Sequence, residues 1–303
     1  MTNYNCNTKL QNSSFLALQE KDPHYSAIIV NIVFNGCLCY TTVMLNVVTI
    51  YALRKTSSLP KLFKTLLLSL AVSDLGVGLL GQPLAYLDVK LQSSLSNRPI
   101  LDATTTIILR IFYLSSFCSV MALSVDRFFA IQNPLRYQNV VTHKRVITVV
   151  AVIWSFSVLL GLSFVFVFAR KITIVLFLII EFVCFVATTS SSFKIYITAR
   201  QHNIEIQSQT RLNSGMLHIV SGRKSAQSTL FIYLAFWVCY LPHFISLGYL
   251  RYEGQTKTLS MLSQFFATLV LFNSCLNPGI YCWRIRSIRH AVMETLRNIR
   301  RGK

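Results

Sequence analysis

Residues 172–200 read ITIVLFLIIEFVCFVATTSSSFKIYITAR, an apolar run with Glu181 as its one acid and no proline. Bilayer hydrocarbon is about 30 Å thick and a helix rises about 1.5 Å per residue, so a spanning helix needs roughly 20 mostly apolar residues. This run is long enough to cross. Seven stretches meet the same test, at residues 26–53, 62–87, 101–133, 145–168, 172–200, 223–250 and 257–282. The sequence therefore predicts an all-α membrane protein: an extracellular segment at 1–25, a seven-transmembrane helix bundle at 26–282, and a cytoplasmic amphipathic helix with a short tail at 283–303.

Composition agrees, since 53% of the 303 residues are hydrophobic, only 13% are charged and the mean hydropathy is +0.52. The formal charge of +19 would suit nucleic acid only if the cations shared a wet face, but they sit in short gaps between apolar runs. Nucleic acid is excluded as a partner. An N-outside arrangement places 20 of the cations inside and 8 outside, with Arg110 within a span, and the inner excess of Lys and Arg sets the orientation. Asn12-Ser13-Ser14 is then a glycosylation sequon on the outer face, and the polar first 25 residues show no apolar signal-peptide region. The polar stretch at 201–222 reads as a flexible loop. Beyond the seventh span, Ile285, Ile288 and Val292 share one helical face with cations opposite, which suits a helix lying on membrane lipid. The eight cysteines spell neither a zinc ribbon nor a disulfide framework.

Polar and charged side chains inside spans are costly, so each is a functional candidate. In chain order they include Asn46, Asp74 in Leu70-Ala71-Val72-Ser73-Asp74, Asp126-Arg127-Phe128, and Asn133-Pro134-Leu135-Arg136-Tyr137. Trp154, Cys239-Tyr240-Leu241-Pro242 and Asn277-Pro278-Gly279-Ile280-Tyr281 follow. This set resembles the rhodopsin-like (class A) G-protein-coupled receptors in order and spacing, over nearly the whole chain. The resemblance implies a plasma-membrane receptor that binds an extracellular ligand, peptide or small non-amine molecule, and activates a heterotrimeric G protein.

Within that resemblance, Asp126 and Arg127 hold the inactive state, Arg127 swings toward the G protein, Tyr281 moves inward, and Leu135 anchors in a G-protein pocket. Pro242 and Pro278 each remove a backbone hydrogen bond and loosen a helix. Phe236 and Tyr240 match the family's packing switch, although Phe236 also reads as an ordinary core side chain. Asp74, Ser116, Asn273, Ser274 and Asn277 match a sodium site, with a water-bridged polar cluster as the alternative; no other cofactor is implied. The expected ligand positions are Asp102, Thr106, Leu109, Arg110, Tyr113, Glu181 and His243. Arg110 and Glu181 are expected to pair beneath the ligand, or Arg110 to receive an anionic ligand group.

The outer end of span three carries Asp102 where most of the family has a cysteine, and the short second outer loop around Ala169-Arg170-Lys171 has none. With no proline in span five, this resembles the melanocortin branch or its neighbours in the melanocortin and adenosine group. Leu84, Thr106 and Asn277 depart from that branch's acids, and Ser192 and Tyr240 replace a usual tyrosine and tryptophan. Leu109 stands at the amine-binding position and Leu271 at the opsin lysine position, which argues against an amine ligand and a visual pigment.

Gly76-Val77-Gly78-Leu79-Leu80-Gly81 matches a dinucleotide-binding fingerprint, but it lies inside an apolar span with no preceding strand, so it reads as close helix packing. The six histidines form no catalytic set, which argues against an enzyme. A membrane transporter or channel is the alternative class, although neither repeated halves nor interrupted helices are visible.

Overall fold

Apolar runs of this length have nowhere to satisfy their backbone in hydrocarbon except in helices, and every regular element described is helical. The computed structural model describes residues 23–57, 59–92, 99–132, 137, 141–166, 170–209, 234–246, 248–249, 256–284 and 286–300. Asn12 and Leu135 lie outside the described residues.

Span one is Pro23–Lys55. Span two runs Lys61–Gly76, passes through a π-helical turn Val77–Gly81, and continues as Gln82–Gln92. Span three is Pro99–Gln132, with proline at the helix start where its missing N–H costs nothing. Thr142 caps span four, His143–Leu162, by accepting a bond from the Arg145 backbone N–H at 3.5 Å. Span five is Arg170–Gln209, span seven is Lys257–Arg284, and span six is described over Leu234–Ser246. Among the described residues, six helices are long and apolar enough to cross a membrane, and Leu234–Ser246 is a shorter apolar piece.

Two expectations are corrected. Residues 201–209, read as loop, continue the fifth helix, because no proline or glycine occurs there to stop it. Span four, expected to reach 168, ends at Leu162 in a 3-10 turn, Ser163–Val165, where the Ser163 hydroxyl bonds back to the Leu160 carbonyl at 2.8 Å.

Span three touches spans two, four and five, while spans one and seven lie side by side. The amphipathic helix that follows span seven, Arg286–Arg300, packs on span one with Ile288 and Thr295 buried, and Glu294 pairs with Lys55 at 2.9 Å. The bundle is apolar outside and polar within. Val30, Leu159 and Phe182 are 62%, 68% and 67% exposed, whereas Asp74 and Asn46 are 0% and 1% exposed. Spans one and seven are joined by Asn35 donating to Thr268 at 2.9 Å and Thr268 donating to Asn31 at 2.8 Å.

The glycines of span two make close packing possible. A methyl group on Gly76 would collide with the Phe112 ring, and one on Gly81 would lie 2.6 Å from Leu109. The π turn between them adds a local bulge that the sequence pattern does not announce, and the Cys39 thiol bonds to the Gly78 carbonyl at 3.2 Å. Gly76→Ala should therefore lower stability by about 1–3 kcal/mol through overpacking. Gly36→Ala, where nothing lies within 4 Å, should leave it unchanged or raise it. Thermal unfolding of both variants in detergent checks this; equal midpoints would contradict the packing.

Candidate functional site

Four groups of side chains run along the bundle axis. At the inner end of span three, Asp126 is buried and Arg127 donates to its Oδ2 from Nε at 3.1 Å and from Nη2 at 2.8 Å. The Tyr137 hydroxyl donates to Oδ1 at 2.6 Å, and the Arg127 guanidinium lies 3.8 Å above the Phe63 ring. Burial, and then the bond to Asp126, push the Tyr137 phenol above its ordinary pKa, so it remains a donor. Asp126 thus holds Arg127 from one side while an aromatic face holds it from another.

Mid-bundle, Asp74 is fully enclosed, and spans three and seven supply its three partners. Ser116 donates to Oδ1 at 2.7 Å, Ser274 to the same oxygen at 2.9 Å, and Asn277 to Oδ2 at 2.9 Å. Asn273 is buried one turn before Asn277, but its amide nitrogen has no acceptor. Asn46 ties this cluster to span one by donating to the Thr42 and Ser274 carbonyls at 2.9 and 3.1 Å. Its side-chain oxygen remains without a donor.

Above Asp74 stands an aromatic column. Phe236 stacks on Tyr240 with ring centres 4.2 Å apart and meets Phe117 at 4.9 Å; Tyr240 meets Phe117 at 5.1 Å and Tyr113 at 5.8 Å. Pro242 lies in the same helical segment and Pro278 inside span seven, below which Tyr281 is buried. Sequence reasoning singled out Phe236, Tyr240 and Tyr113 but missed Phe117 and also Phe185, which stacks on Phe236 with ring centres 6.0 Å apart. The signal was the four-residue spacing of Tyr113 with Phe117 and of Phe236 with Tyr240, which puts each pair on one helix face.

Outermost is a cavity of about 700 Å³ between spans three, five, six and seven. Leu109, Arg110, Tyr113, Glu181 and His243 all line it, so five of the seven expected ligand positions come together. Asp102 and Thr106 are not part of its wall, and Asp102 is exposed in the first turn of span three. Arg110 and Glu181 face the same cavity. The Arg110 guanidinium also lies 4.1 Å over Phe164 and 4.9 Å over Phe177, two aromatic contacts the sequence did not reveal.

An outer cavity, an aromatic column, a buried carboxylate cluster and an inner Asp-Arg pair, all within membrane-crossing helices, define a membrane receptor. Residues 45–281 match the 7 transmembrane receptor (rhodopsin family), and the chain belongs to that family. It is a receptor and not an enzyme. Mouse melanocortin receptor 5 is 27% identical over 183 residues, 59% of this chain and 56% of that receptor. Melanocortin receptor 4 of Danio rerio is 28% identical over 185 residues, 60% of this chain and 56% of that receptor. These similarities place the chain near the melanocortin branch, and the matched part spans a little over half the length of those relatives.

Removing one donor from a buried carboxylate leaves a costly acceptor behind. Ser116→Ala should cost roughly 1.5–3 kcal/mol of stability, the usual worth of a hydrogen bond to a charged group. Paired with Asp74→Asn, its effect should shrink, because the charge it served is gone. Additive losses in a double-mutant cycle would show that the two residues do not act together.

Proposed function

We propose that this receptor sits in the plasma membrane with its N-terminus outside, binds an extracellular ligand in the outer cavity, and activates a heterotrimeric G protein at its inner face. The observation that carries this reading is continuity. Tyr113 lines the cavity and contacts both Phe117 and Tyr240, and these contact Phe236 one turn deeper. A ligand that moves Tyr113 must move this column, and Pro242 gives span six a weakened point about which its inner end can shift.

At the inner end, the Asp126 bonds keep Arg127 turned away from a partner. Release of Arg127, with Tyr281 moving inward, opens the surface for the G protein, and Leu135 supplies an apolar anchor. Glycosylation of Asn12 fits this orientation.

Arg127→Ala should abolish ligand-driven nucleotide exchange on reconstituted G protein while surface expression persists. Tyr137→Phe removes one restraint on Asp126 and should raise basal exchange, by up to about tenfold for a bond worth ~1.5 kcal/mol. A screen of peptides, lipids and other small molecules supplies the ligand for the first test. Normal exchange by Arg127→Ala would overturn the assignment.

The Asp74 cluster fits a sodium ion. It offers a buried carboxylate and two hydroxyls, all hard oxygen ligands. Asp74, Ser116 and Ser274 would hold the ion, with Asn273 and Asn277 beside it; when bound, it supplies a positive charge that stabilises the ionised Asp74. Sodium should lower basal nucleotide exchange relative to potassium, and Asp74→Asn should remove the difference. Identical exchange in both salts on the unmutated receptor would leave a polar cluster without an ion.

A further inference from the structure

Span two starts at Lys61 behind Pro60, and the first turn of a helix frays unless something holds it. Lys64 does so here. Its backbone N–H donates to the Pro60 carbonyl at 3.0 Å, and its ammonium donates to the Arg54 and Thr56 carbonyls at 3.3 and 2.9 Å. Phe63 therefore has a fixed place in that turn, where it is 7% exposed and the centre of its ring lies 3.8 Å from the Arg127 guanidinium carbon.

This contact belongs to the whole interface between spans two and three. Further along the two helices, Ser69 meets Ser119 at 3.2 Å, Asp74 accepts from Ser116 at 2.7 Å, Gly76 faces Phe112 and Gly81 faces Leu109. These contacts follow one antiparallel register, so moving the Phe63 ring away from span three would disturb all of them. Arg127 leaves the ring by turning its own side chain. A guanidinium stays protonated, and here the side chain is only 18% exposed, so its attraction to the ring face is weakly screened by water.

We infer that Phe63 is a positioning residue that sets how readily Arg127 is released, and hence the basal activity of the protein, through the negative charge on its ring face. This deepens the receptor reading above, on which it rests, by naming a second restraint on the same arginine. Asp126 holds the guanidinium by two hydrogen bonds, and Phe63 holds it by a contact that needs no hydrogen bond, so either restraint survives loss of the other. An aliphatic side chain at Phe63 would fill the same space and leave the cation unheld, because the attraction follows the ring quadrupole and not its bulk. The tightness of the resting state is then tuned by the electron density of one ring that span two carries and span three reads.

The test replaces Phe63 in the full chain, in lipid nanodiscs, by mono-, di- and trifluorophenylalanine, which keep the ring's shape while draining charge from its face, and by cyclohexylalanine, which has no π face. Two readouts are taken on each chain. Without G protein, the rate at which phenylglyoxal modifies Arg127 is followed by mass spectrometry, with the exposed Arg54 as internal reference. With G protein, nucleotide exchange is measured in the absence of any ligand. Modification of Arg127 should rise step by step with fluorination and reach roughly three- to thirtyfold in the cyclohexylalanine chain, while that of Arg54 stays constant. Basal exchange should rise in the same order. Should the cyclohexylalanine or trifluoro chain fail to fold, the mono- and difluoro chains still decide. Arg127 modification that is flat across the series, or that rises only together with Arg54, overturns the inference. Graded modification with flat nucleotide exchange would instead overturn the reading of Arg127 as the G-protein contact and leave Phe63 as its restraint.

Discussion

A polar group in hydrocarbon must find its partner inside the protein, and this requirement organises the whole bundle. Water cannot solvate Asp74, so spans two, three and seven each turn a donor-bearing or carboxylate face inward, and Asn46 brings span one to the same point. Once those faces are fixed, the opposite faces look outward to lipid, which is why Val30, Leu159 and Phe182 can be exposed at no cost. The polar residues set helix rotation, and the apolar ones set length and depth.

The same rule explains what could be read from the sequence. Span positions follow from length and hydropathy, and the costly residues Asp74, Asp126, Arg127, Arg110 and Glu181 identify themselves because nothing but function or pairing justifies them there. Aromatic residues carry no such signal. With 21 phenylalanines in the chain, a single Phe says little; the four-residue spacing puts Phe117 on the face of Tyr113, but that this face meets Phe236 and Tyr240 follows only when spans three and six are placed together. The π turn at Val77–Gly81 was equally hidden, because its cause is an accommodation between two packed helices. The continuation of the fifth helix to Gln209 was missed for the opposite reason: a polar composition suggested loop where nothing in the sequence breaks the helix.

Span three links the functional layers because it contributes to all of them. Arg110 and Tyr113 reach the cavity, Ser116 holds Asp74, Phe117 joins the aromatic column, and Asp126 and Arg127 close the inner end. Tyr113, Ser116 and Phe117 fall within a little over one helical turn, so a small rotation of the third helix displaces the cavity floor, a carboxylate donor and the column together. The layers are thus tied together by one helix and what it touches.

That helix lacks the cysteine that most of the family uses at its outer end, so some other contact must position its neighbours. Two contacts fill this role. The Ser163 and Thr173 hydroxyls bond at 3.1 Å across the gap between spans four and five. Arg110 on span three lies over Phe164, in the turn after span four, and over Phe177 on span five, which draws the outer parts of three spans toward one cation. A covalent tether is indifferent to what occupies the cavity, but these contacts form part of its wall or lie next to it. The geometry at this end of the bundle is therefore bound up with the side chains that wall the cavity, and Arg110 serves the fold by holding three spans together there.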